Sequence, residues 1–313
     1  MRQNKEKNFV SCVVYLHNEG SHVRDFLQVV CGVMGDNFEK YEIICVNDGC
    51  VDDTVEQVRD FLSGGIPPVS LINLSFYQGV ESAMNAGRDL AVGDFIFEFD
   101  ECLPDFSADL IMEVYRRVLE GYDVVAAAPR KGISLTSRLF YLVYNWGSRS
   151  QGRIRQERFR VISRRAVNRV NQMNTYIPYR KAMYMNCGLK ADTISYDNGQ
   201  SVKRRRNREE WGNRRVLAAD TIIIFTNVLA RLSMAVSVVL LGALLVMFGY
   251  LVYSVFSRER PVEGWLSIMS LMSFGFFMMS VMLTLILKYL SVLLNMSFRR
   301  QRYMIEGVEK LNQ

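Results

Sequence analysis

Two long stretches without a charged residue constrain this chain more than any other feature of its sequence. They are Leu232–Phe256 and Trp265–Leu287. As α-helices, both are long enough to cross the hydrocarbon core of a bilayer, which is about 30 Å thick. The sequence between them contains Pro261 and Gly264, which suit a tight turn. The pair predicts a transmembrane hairpin, with two buried helices of a soluble bundle as the alternative.

Basic residues flank this hairpin and set its expected orientation. Residues 203–215 are rich in Arg and Lys, and Lys288, Arg299, Arg300 and Arg302 follow the second stretch, whereas the connecting loop balances its Arg with Glu. Because positively charged flanks stay in the cytoplasm, both termini are expected there, with the chain in the inner membrane. Neither stretch contains an ionisable Asp, Glu, Lys or Arg, so the hairpin is predicted to be an anchor and not an ion pathway.

The rest of the sequence has the composition of a water-soluble domain with a small excess of positive charge. The 313 residues include 38 Lys and Arg against 32 Asp and Glu, a formal net charge of +6. This excess suits nucleic acid, anionic lipid or phosphate-bearing ligands, but nucleic acid does not explain a membrane hairpin. Cysteines without a C-x-x-C pair predict reduced thiols. We predict a cytosolic domain (1–215), a juxtamembrane segment (216–231), spans (232–256 and 265–287) and a cytosolic basic tail (288–313).

Strand-like and helix-like segments alternate along the first 130 residues. The apolar, strand-like runs are residues 9–16, 42–46, 69–75, 95–99 and 123–128. The helical segments begin near Ser21, Asp52, Gly79 and Ser107. This order predicts an α/β fold, an open and mainly parallel sheet with helices on both faces. In such sheets, ligands bind beyond the carboxyl ends of the strands.

The turn after the second strand is the first candidate binding site. Asp48 can accept hydrogen bonds from a base or a ribose, and Gly49 allows a ligand to approach the backbone closely. A turn followed by a helix cap is the alternative. No G-x-G-x-x-G follows the first strand, so the sequence does not favour a dinucleotide-binding domain.

Acidic residues collect around the end of the fourth strand, where residues 94–109 include no basic residue. Strand alternation places Glu98 and Asp100 on one side of the sheet. Carboxylates at a strand end suit Mg²⁺ or Mn²⁺ that bridges a nucleotide diphosphate. Carboxylates solvated at a sheet edge are the alternative.

Arginine dominates residues 129–165, where Glu157 is the one acidic residue. The cations are Arg130, Lys131, Arg138, Arg149, Arg153, Arg155, Arg158, Arg160, Arg164 and Arg165. Guanidinium groups bind phosphates through paired hydrogen bonds. Phe140, Tyr141, Tyr144 and Phe159 lie among them and favour a phosphate site over a merely solvated face.

Several motifs follow one another in a familiar order. His17-Asn18-Glu19 stands where a Tyr-Asn-Glu turn is known, and Val46–Thr54 resembles the nucleotide loop Val-Asp-Asp-Gly-Ser-x-Asp-x-Thr. Leu74–Asp94 is similar to a third-strand and helix signature, and Phe159–Arg165 to a Phe-Arg-Leu-x-x-Arg motif. With the hairpin and Arg302-Tyr303 behind it, the chain resembles the GT-A type, family 2 glycosyltransferases that act on polyprenyl phosphates. That group includes dolichyl-phosphate mannose synthase and undecaprenyl-phosphate glucosyltransferases.

Three positions depart from the family pattern. The metal motif is usually Asp-x-Asp, but this chain has Asp100-Glu101-Cys102. Arg158 stands where an acidic residue normally precedes Phe-Arg, with Glu157 one position earlier. The basic-Gly-Ser-Lys-Tyr segment before the membrane is poorly matched by residues 208–215.

The resemblance implies an inverting transfer of a sugar from a UDP- or GDP-sugar to a polyprenyl phosphate at the bilayer, for cell-envelope glycan or glycolipid synthesis. The implied donor-binding residues are Asn18, Glu19, Asp48, Gly49, Gly79 and Arg130. The implied catalytic residues are Asp100, Glu101 and Arg160. The implied acceptor-phosphate residues are Arg138, Arg158 and Arg164. The implied ligands of Mg²⁺ or Mn²⁺ are Asp100 and Asp105.

Two other functions are compatible with parts of the sequence. The departures at Cys102 and Arg158 would suit a catalytically impaired homologue that binds a nucleotide-sugar or a lipid as a scaffold. A processive polysaccharide synthase is disfavoured, because it needs more spans and a Gln-x-x-Arg-Trp motif that this chain lacks. The two short spans would also suit a homo-oligomer.

Overall fold

The structure is a computed structural model. It describes residues 5–62, 69–103, 105–130, 135–147, 154–173, 179–197, 264–298 and 303–311, together with 212, 216–221 and scattered residues between 231 and 256. Its strands are β1 Val10–Leu16, β2 Tyr41–Asn47, β3 Val69–Leu74, β4 Phe95–Phe99, β5 Val124–Pro129, β6 Phe159–Ser163, β7 Ala191–Tyr196 and β8 Ile305–Lys310. Its helices are α1 Val23–Asn37, α2 Thr54–Leu62, α3 Val80–Leu90, α4 Ala108–Leu119, α5 Leu135–Gly147, α6 Arg164–Gln172, α7 Arg180–Asn186 and α8 Trp265–Phe298.

The strands form one 8-stranded sheet in the order β7-β5-β6-β4-β1-β2-β3-β8. The central strands β4, β1, β2 and β3 are parallel to one another, and β5 is parallel to β7. Strand β6 runs antiparallel between β4 and β5, and β8 runs antiparallel along β3. The predicted α/β fold with a mainly parallel sheet is confirmed.

Both faces of the sheet are covered, and strand alternation determines which residues face which layer. In β1, Cys12 and Val14 belong to a core cluster with residues of α1 and α4, whereas Val13 and Tyr15 belong to a cluster with residues of α3, α6 and α7. Successive side chains of a strand point to opposite faces, so a strand buried on both sides is apolar throughout. Each fully buried aliphatic or aromatic side chain stabilises the fold by roughly 1.5–3 kcal/mol.

The C-terminal tail joins the sheet, which its basic composition did not predict. Residues Ile305–Lys310 pair with β3, with Val308 opposite Ile72. The Arg59 guanidinium binds Glu309, with Nη2 2.8 Å from Oε1. The tail is therefore an edge strand of the same sheet as residues 10–196, although the sequence places it after both uncharged stretches.

The two uncharged stretches are described to different extents. The second lies in α8, which continues past Leu287 to Phe298, and its Phe276, Met279 and Ile286 side chains are exposed. Much of the first stretch, the loop with Pro261 and most of the basic flanks lie outside the described residues. Within the part of the chain that the structure describes, no helix combines the length and the apolarity needed to cross a membrane.

Candidate functional site

A buried network of arginines and carboxylates lies where β4 ends. Arg160 of β6 is directly opposite Glu98 of β4 in the antiparallel register. Its Nη1 is 2.8 Å from Glu98 Oε2, and its Nη2 is 2.8 Å from Asp100 Oδ2. Arg180 of α7 binds the same two carboxylates, with Nη1 2.7 Å from Glu98 Oε2 and Nη2 2.7 Å from Asp100 Oδ1. We call Glu98, Asp100, Arg160 and Arg180 the arginine–carboxylate network.

Further side chains complete the hydrogen bonding of this network. Arg160 Nε donates to Glu157 at 3.0 Å, and Arg180 Nε donates to Glu81 of α3 at 3.0 Å. The Tyr184 hydroxyl donates to Glu98 Oε1 at 2.8 Å, and Arg88 Nη1 donates to that hydroxyl at 3.2 Å. Buried charges are tolerated when their hydrogen-bonding groups are satisfied in this way.

Burial and charge act in opposite directions on Asp100. Burial alone would raise its pKa, but the positive charges of Arg160, Arg180 and Lys181 outweigh that effect and hold the pKa well below the usual range. Burial likewise opposes the charge of Arg160, while its carboxylate partners raise its pKa well above the ordinary value. Asp100 is therefore an ionised carboxylate with both oxygens engaged.

The other two predicted acidic site residues, Glu101 and Asp105, lie in a second cluster of ion pairs. Arg158 precedes β6 and forms ion pairs with Glu101 and Asp105. Its Nε lies 3.0 Å from Asp105 Oδ1, which also accepts a hydrogen bond from the Tyr196 hydroxyl at 3.2 Å. The predicted acceptor-phosphate residue Arg158 is thus bound by two carboxylates that the sequence assigned to catalysis and metal binding.

The predicted nucleotide loop is built around Asp48. Its carboxylate accepts hydrogen bonds from the backbone N–H groups of Gln78 at 2.6 Å and Gly79 at 2.8 Å and from the Tyr15 hydroxyl at 3.0 Å. Burial is the largest influence on Asp48 and raises its pKa. Asp48 therefore joins the end of β2 to the start of α3.

Asn18, Glu19 and Gly49 lie beside the same loop, as predicted from the motifs. Asn18 adopts a positive φ of 54° and accepts a hydrogen bond from Val51 N–H at 2.9 Å. The backbone N–H of Glu19 donates to Thr54 Oγ1 at 2.8 Å. Gly49 has a φ of 65°, and a Cβ there would lie 3.1 Å from the backbone nitrogen of Tyr77, so glycine is strongly favoured at this position.

The other predicted phosphate-binding arginines are not brought together. Arg130 follows β5 and forms an exposed ion pair with Asp197, with Nη1 3.1 Å from Oδ2. Arg138 lies on α5 with its side chain exposed. Arg164 lies beside the start of β4, whereas the arginine–carboxylate network lies where β4 ends. Its guanidinium group donates to the carbonyl oxygen of Ala91 at 2.8 Å and to that of Gly93. Arg164 lies beside the start of β4 because β6 runs antiparallel to β4 and Arg164 follows the last residue of β6.

The aromatic residues among these arginines are core residues and do not form a stacking site. Phe159 is fully buried in the core cluster that also includes residues of α1 and α4. Tyr144 is fully buried in a smaller cluster with Ile154, Tyr179 and Ala182, and Phe140 and Tyr141 pack against it. The sequence showed their spacing, but only packing decided which way they face.

The arrangement does not fit a divalent metal ion at the predicted position. Both oxygens of Asp100 accept arginine hydrogen bonds, and Asp105 is bound by Arg158. Cys102 is fully buried, and its Sγ donates to the Tyr15 carbonyl oxygen at 3.4 Å. Across the residues with described placement, no three His, Cys, Asp or Glu side chains are grouped so that they could hold a metal ion.

The sequence patterns did not indicate the residues that α7 contributes to the site. Arg180, Lys181 and Tyr184 are buried polar residues on one short helix, and they complete the site with Glu81 of α3. The only signal was a run with two basic residues and two tyrosines, YRKAMY, without the acidic partners that a solvated face usually carries. Their partners lie about 80–100 residues earlier in the chain, so spacing could not reveal them.

Comparison with known proteins determines the family. The model of the family described as "Glycosyl transferase family 2" matches residues 11–184, which is more than half of the 313 residues and runs from β1 through Tyr184 of α7. The chain is a member of glycosyl transferase family 2. The GT2 domain thus contains the nucleotide loop and the whole arginine–carboxylate network, and the chain is a glycosyltransferase.

Curated relatives of this family 2 member include transferases named for polyprenyl carriers, as the motifs led us to expect. CsbB of Bacillus subtilis, named as a glycosyltransferase, is 25% identical over 308 residues, 96% of this chain and 92% of CsbB. A prophage bactoprenol glucosyl transferase homolog of Escherichia coli is 28% identical over 200 residues, 62% of this chain and 64% of that protein. An undecaprenyl-phosphate 4-deoxy-4-formamido-L-arabinose transferase of Aeromonas hydrophila is 27% identical over 127 residues, 41% of this chain and 39% of that protein.

A solved structure supports the GT-A-like fold of this family 2 domain. Glucosyl-3-phosphoglycerate synthase from Mycobacterium tuberculosis, in complex with Mn²⁺, uridine diphosphate and phosphoglyceric acid, superposes with a TM-score of 0.51. The match covers 69% of this chain and 76% of that chain at 14% sequence identity. At this identity, the likeness concerns the fold alone.

Proposed function

We propose that this chain transfers a sugar, with inversion, from a nucleotide-sugar to a polyprenyl phosphate at the inner membrane, for the synthesis of a cell-envelope glycan or glycolipid. The names of the relatives support the acceptor class, since they include bactoprenol and undecaprenyl-phosphate transferases. The neighbouring fold with bound uridine diphosphate supports a nucleotide-linked donor.

The packing of α5 against α7 is the structural observation that best supports this proposal. The outward face of α5 presents Leu139, Leu142 and Trp146, each about two-thirds exposed, beside the exposed Arg138. Such a face, apolar with a flanking cation, suits insertion at a lipid surface next to a phosphate head group. The inner face of α5 packs on residues of α7, the helix that carries Arg180, so the lipid surface would adjoin the buried network.

The donor would bind along the loops that end β1, β2 and β4. These loops carry Asn18, Gly49 and Asp100, and the carboxyl ends of neighbouring parallel strands bring them to one edge of the sheet. Asp48 holds the start of α3 in place by two backbone hydrogen bonds, 2.6 and 2.8 Å long. The N-terminus of that helix is a suitable neighbour for a diphosphate because its N–H groups favour negative charge.

The proposed reaction requires positioning more than proton transfer. An oxygen of the polyprenyl phosphate, already anionic at neutral pH, attacks the anomeric carbon of the sugar. The bond between that carbon and the diphosphate oxygen breaks, and the nucleoside diphosphate leaves with the electron pair. No general base is needed, so the catalytic contribution of the protein is alignment and stabilisation of the leaving charge.

Anchoring by the two uncharged stretches is part of the proposal. Their basic flanks support an orientation with the family 2 domain and both termini in the cytoplasm. The exposed apolar side chains along α8, including Phe277 and Leu283, also suit contact with lipid. Lys288 of α8 pairs with Asp220 at 2.9 Å, which ties the end of the second stretch to the helical residues 216–221.

A transfer assay on the purified full chain tests the proposal. The protein in detergent is incubated with undecaprenyl phosphate and a panel of UDP- and GDP-sugars, and the glycolipid product is identified by mass spectrometry. A second arm replaces the lipid with a soluble phosphate ester, to separate lipid recognition from phosphate recognition. We expect product in the lipid arm with one sugar donor, and absence of product with every donor and acceptor would overturn the proposal.

Arg138 offers a matched test of the acceptor surface. Arg138→Gln should raise the KM for undecaprenyl phosphate, while Arg24→Gln on α1, also an exposed arginine, should leave it unchanged. Equal effects of the two substitutions would contradict the role of α5. If the protein binds a nucleotide-sugar tightly but never turns over, the alternative of a binding scaffold replaces the proposed transferase.

A further inference from the structure

We propose that this transferase works without a divalent metal ion and that Arg160 and Arg180 occupy the place where such an ion would meet Asp100. The proposal rests on the proposed sugar transfer. It concerns the positive charge that balances the carboxylates at the end of β4. The sequence assigned this balancing role to Mg²⁺ or Mn²⁺.

Both carboxylate oxygens of Asp100 accept hydrogen bonds from arginine. Oδ1 accepts from Arg180 Nη2 and Oδ2 accepts from Arg160 Nη2, both within 2.8 Å. Glu98 Oε2, the adjacent carboxylate oxygen, accepts from both guanidinium groups. A metal ion that bound Asp100 would have to share these oxygens with two guanidinium groups that lie within 2.8 Å of them, against the repulsion of both positive charges.

Position 102 lacks an oxygen ligand for a metal ion. A carboxylate two residues after Asp100 could join it in binding a hard cation, but this chain has a cysteine. Mg²⁺ requires oxygen ligands in a nearly octahedral arrangement, and Cys102 offers only a buried sulfur directed at the Tyr15 carbonyl group. Glu101, the intervening residue, is in an ion pair with Arg158.

Positively charged side chains surround the carboxylates of the buried site. Four carboxylates, of Glu81, Glu98, Asp100 and Glu157, are bound by two guanidinium groups. Lys181 adds a positive charge that acts on Asp100, and Arg88 adds another through Tyr184. The carboxylates of this site are thus balanced by side chains of the protein itself, so a divalent ion is not needed to neutralise them.

Arg180 has the surroundings that a bound cation would have. Three carboxylates, of Glu81, Glu98 and Asp100, converge on this one side chain, whose relative exposure is 0%. The guanidinium group is fixed to α7, so its charge is positioned before any ligand arrives. Its charge is balanced by these carboxylates, as the charge of a bound cation would be.

Binding of Mn²⁺ alone tests the proposal without reference to turnover. Electron paramagnetic resonance of free Mn²⁺ is recorded during titration with the purified full chain. We expect no saturable binding to the wild-type protein. Saturable binding that Asp100→Asn abolishes would overturn the proposal, whatever the activity.

Substitution of Arg180 provides the complementary test. Arg180→Met removes the cation and leaves three facing carboxylates, so this variant should show saturable Mn²⁺ binding, which we do not expect of the wild type. Arg180→Lys retains the charge and should not gain Mn²⁺ binding. Equal Mn²⁺ binding by Arg180→Met and wild type would contradict the assigned place of Arg180. If Arg180→Met does not fold, the titration of the wild type decides.

The transfer assay completes the design and separates the two proposals. The rate of glycolipid formation should be the same in excess EDTA as in Mg²⁺ or Mn²⁺. A rate that falls more than about tenfold in EDTA and returns with the metal would overturn the metal-free mechanism and leave the transfer function intact. If no product forms under either condition, the proposed function fails, while the Mn²⁺ titration still tests the charge assignment.

Discussion

Arg160 and Glu98 face each other across strands β6 and β4, with Nη1 and Oε2 2.8 Å apart and both side chains at most 1% exposed. The antiparallel register makes them direct neighbours, although they lie 62 residues apart in the sequence. Arg180 then adds a second guanidinium group to the same carboxylate oxygen. The site is thus assembled from two strands and a helix around one buried glutamate.

Removal of the Glu98 charge should destabilise the fold strongly. Glu98→Gln leaves Arg160 and Arg180 with one carboxylate fewer in a buried site, which is expected to cost about 3–5 kcal/mol of unfolding free energy. Denaturant unfolding of the detergent-solubilised protein measures the change. The exposed Glu113 of α4 provides the control, since Glu113→Gln should change stability by no more than about 0.5 kcal/mol. A loss of similar size in both variants would contradict the prediction.

The low pKa of Asp100 predicts a loss of stability in acid. Its folded-state pKa lies below the ordinary value of 3.8, so the unfolded chain binds more protons as the pH falls. The stabilisation by Asp100 is therefore fully present above about pH 5 and declines as the pH drops through 3.8 and below. The unfolding temperatures of wild type and Asp100→Asn, measured from neutral pH downwards, should converge in this acidic window. A difference in unfolding temperature between the two proteins that stays constant with pH would refute the low pKa of Asp100.

Substitution of Gly79 should weaken donor binding in addition to lowering the stability of the fold. Gly79 has a φ of 86° and a ψ of 158°, a conformation that other residues rarely adopt, and a Cβ there would contact nothing, so Gly79→Ala costs only backbone strain, about 1–3 kcal/mol. The same strain is expected from Gly121→Ala, where φ is 99° and the space is also open. Gly79→Ala should weaken nucleotide-sugar binding in calorimetry, because the Gly79 N–H donates to Asp48. Equal affinities of the two variants would show that this loop does not position the donor.

The protection of the C-terminal strand β8 from hydrogen exchange should depend on Gln78. The Gln78 side chain donates to the Met304 carbonyl oxygen at 2.7 Å and accepts from the Met304 N–H at 2.9 Å. Gln78→Ala should therefore increase amide hydrogen exchange in residues 303–311, as measured by mass spectrometry. Gln57→Ala on α2 is the control, because Gln57 bonds the exposed Asp53 four residues earlier in the chain. Unchanged exchange in both variants would show that the hydrogen bonds of Gln78 do not stabilise β8.

Local patterns predicted much of the fold. Helix α3 was expected from Gly79 to Ala91 and occupies Val80–Leu90, and α4 was expected from Ser107 to Glu120 and occupies Ala108–Leu119. These limits were readable because helix caps and apolar periodicity are properties of neighbouring residues. Strand β8 was missed because its sequence, IEGVEK, has too few apolar residues to indicate a strand without its partner β3.

The candidate site could be predicted only in part. Glu98 and Asp100 were expected on one side of β4, and the structure brings both to the same arginines. The sequence assigned Arg158 and Arg164 to one phosphate site, but the two lie at opposite ends of β6. Spacing along a strand gives the face of each side chain, whereas the partner depends on the direction and register of the neighbouring strand.

The sequence by itself determined the α/β class, the glycosyltransferase motifs and the presence of two uncharged stretches, because these are properties of residue order and composition. Only the tertiary structure decided that Asp100 meets two guanidinium groups and that Arg180 belongs to the site at all. The reason is physical. Whether a carboxylate binds a metal ion or an arginine depends on which charges are buried within about 3 Å of it, and in this chain those charges come from α7 and β6, 60 to 80 residues further along.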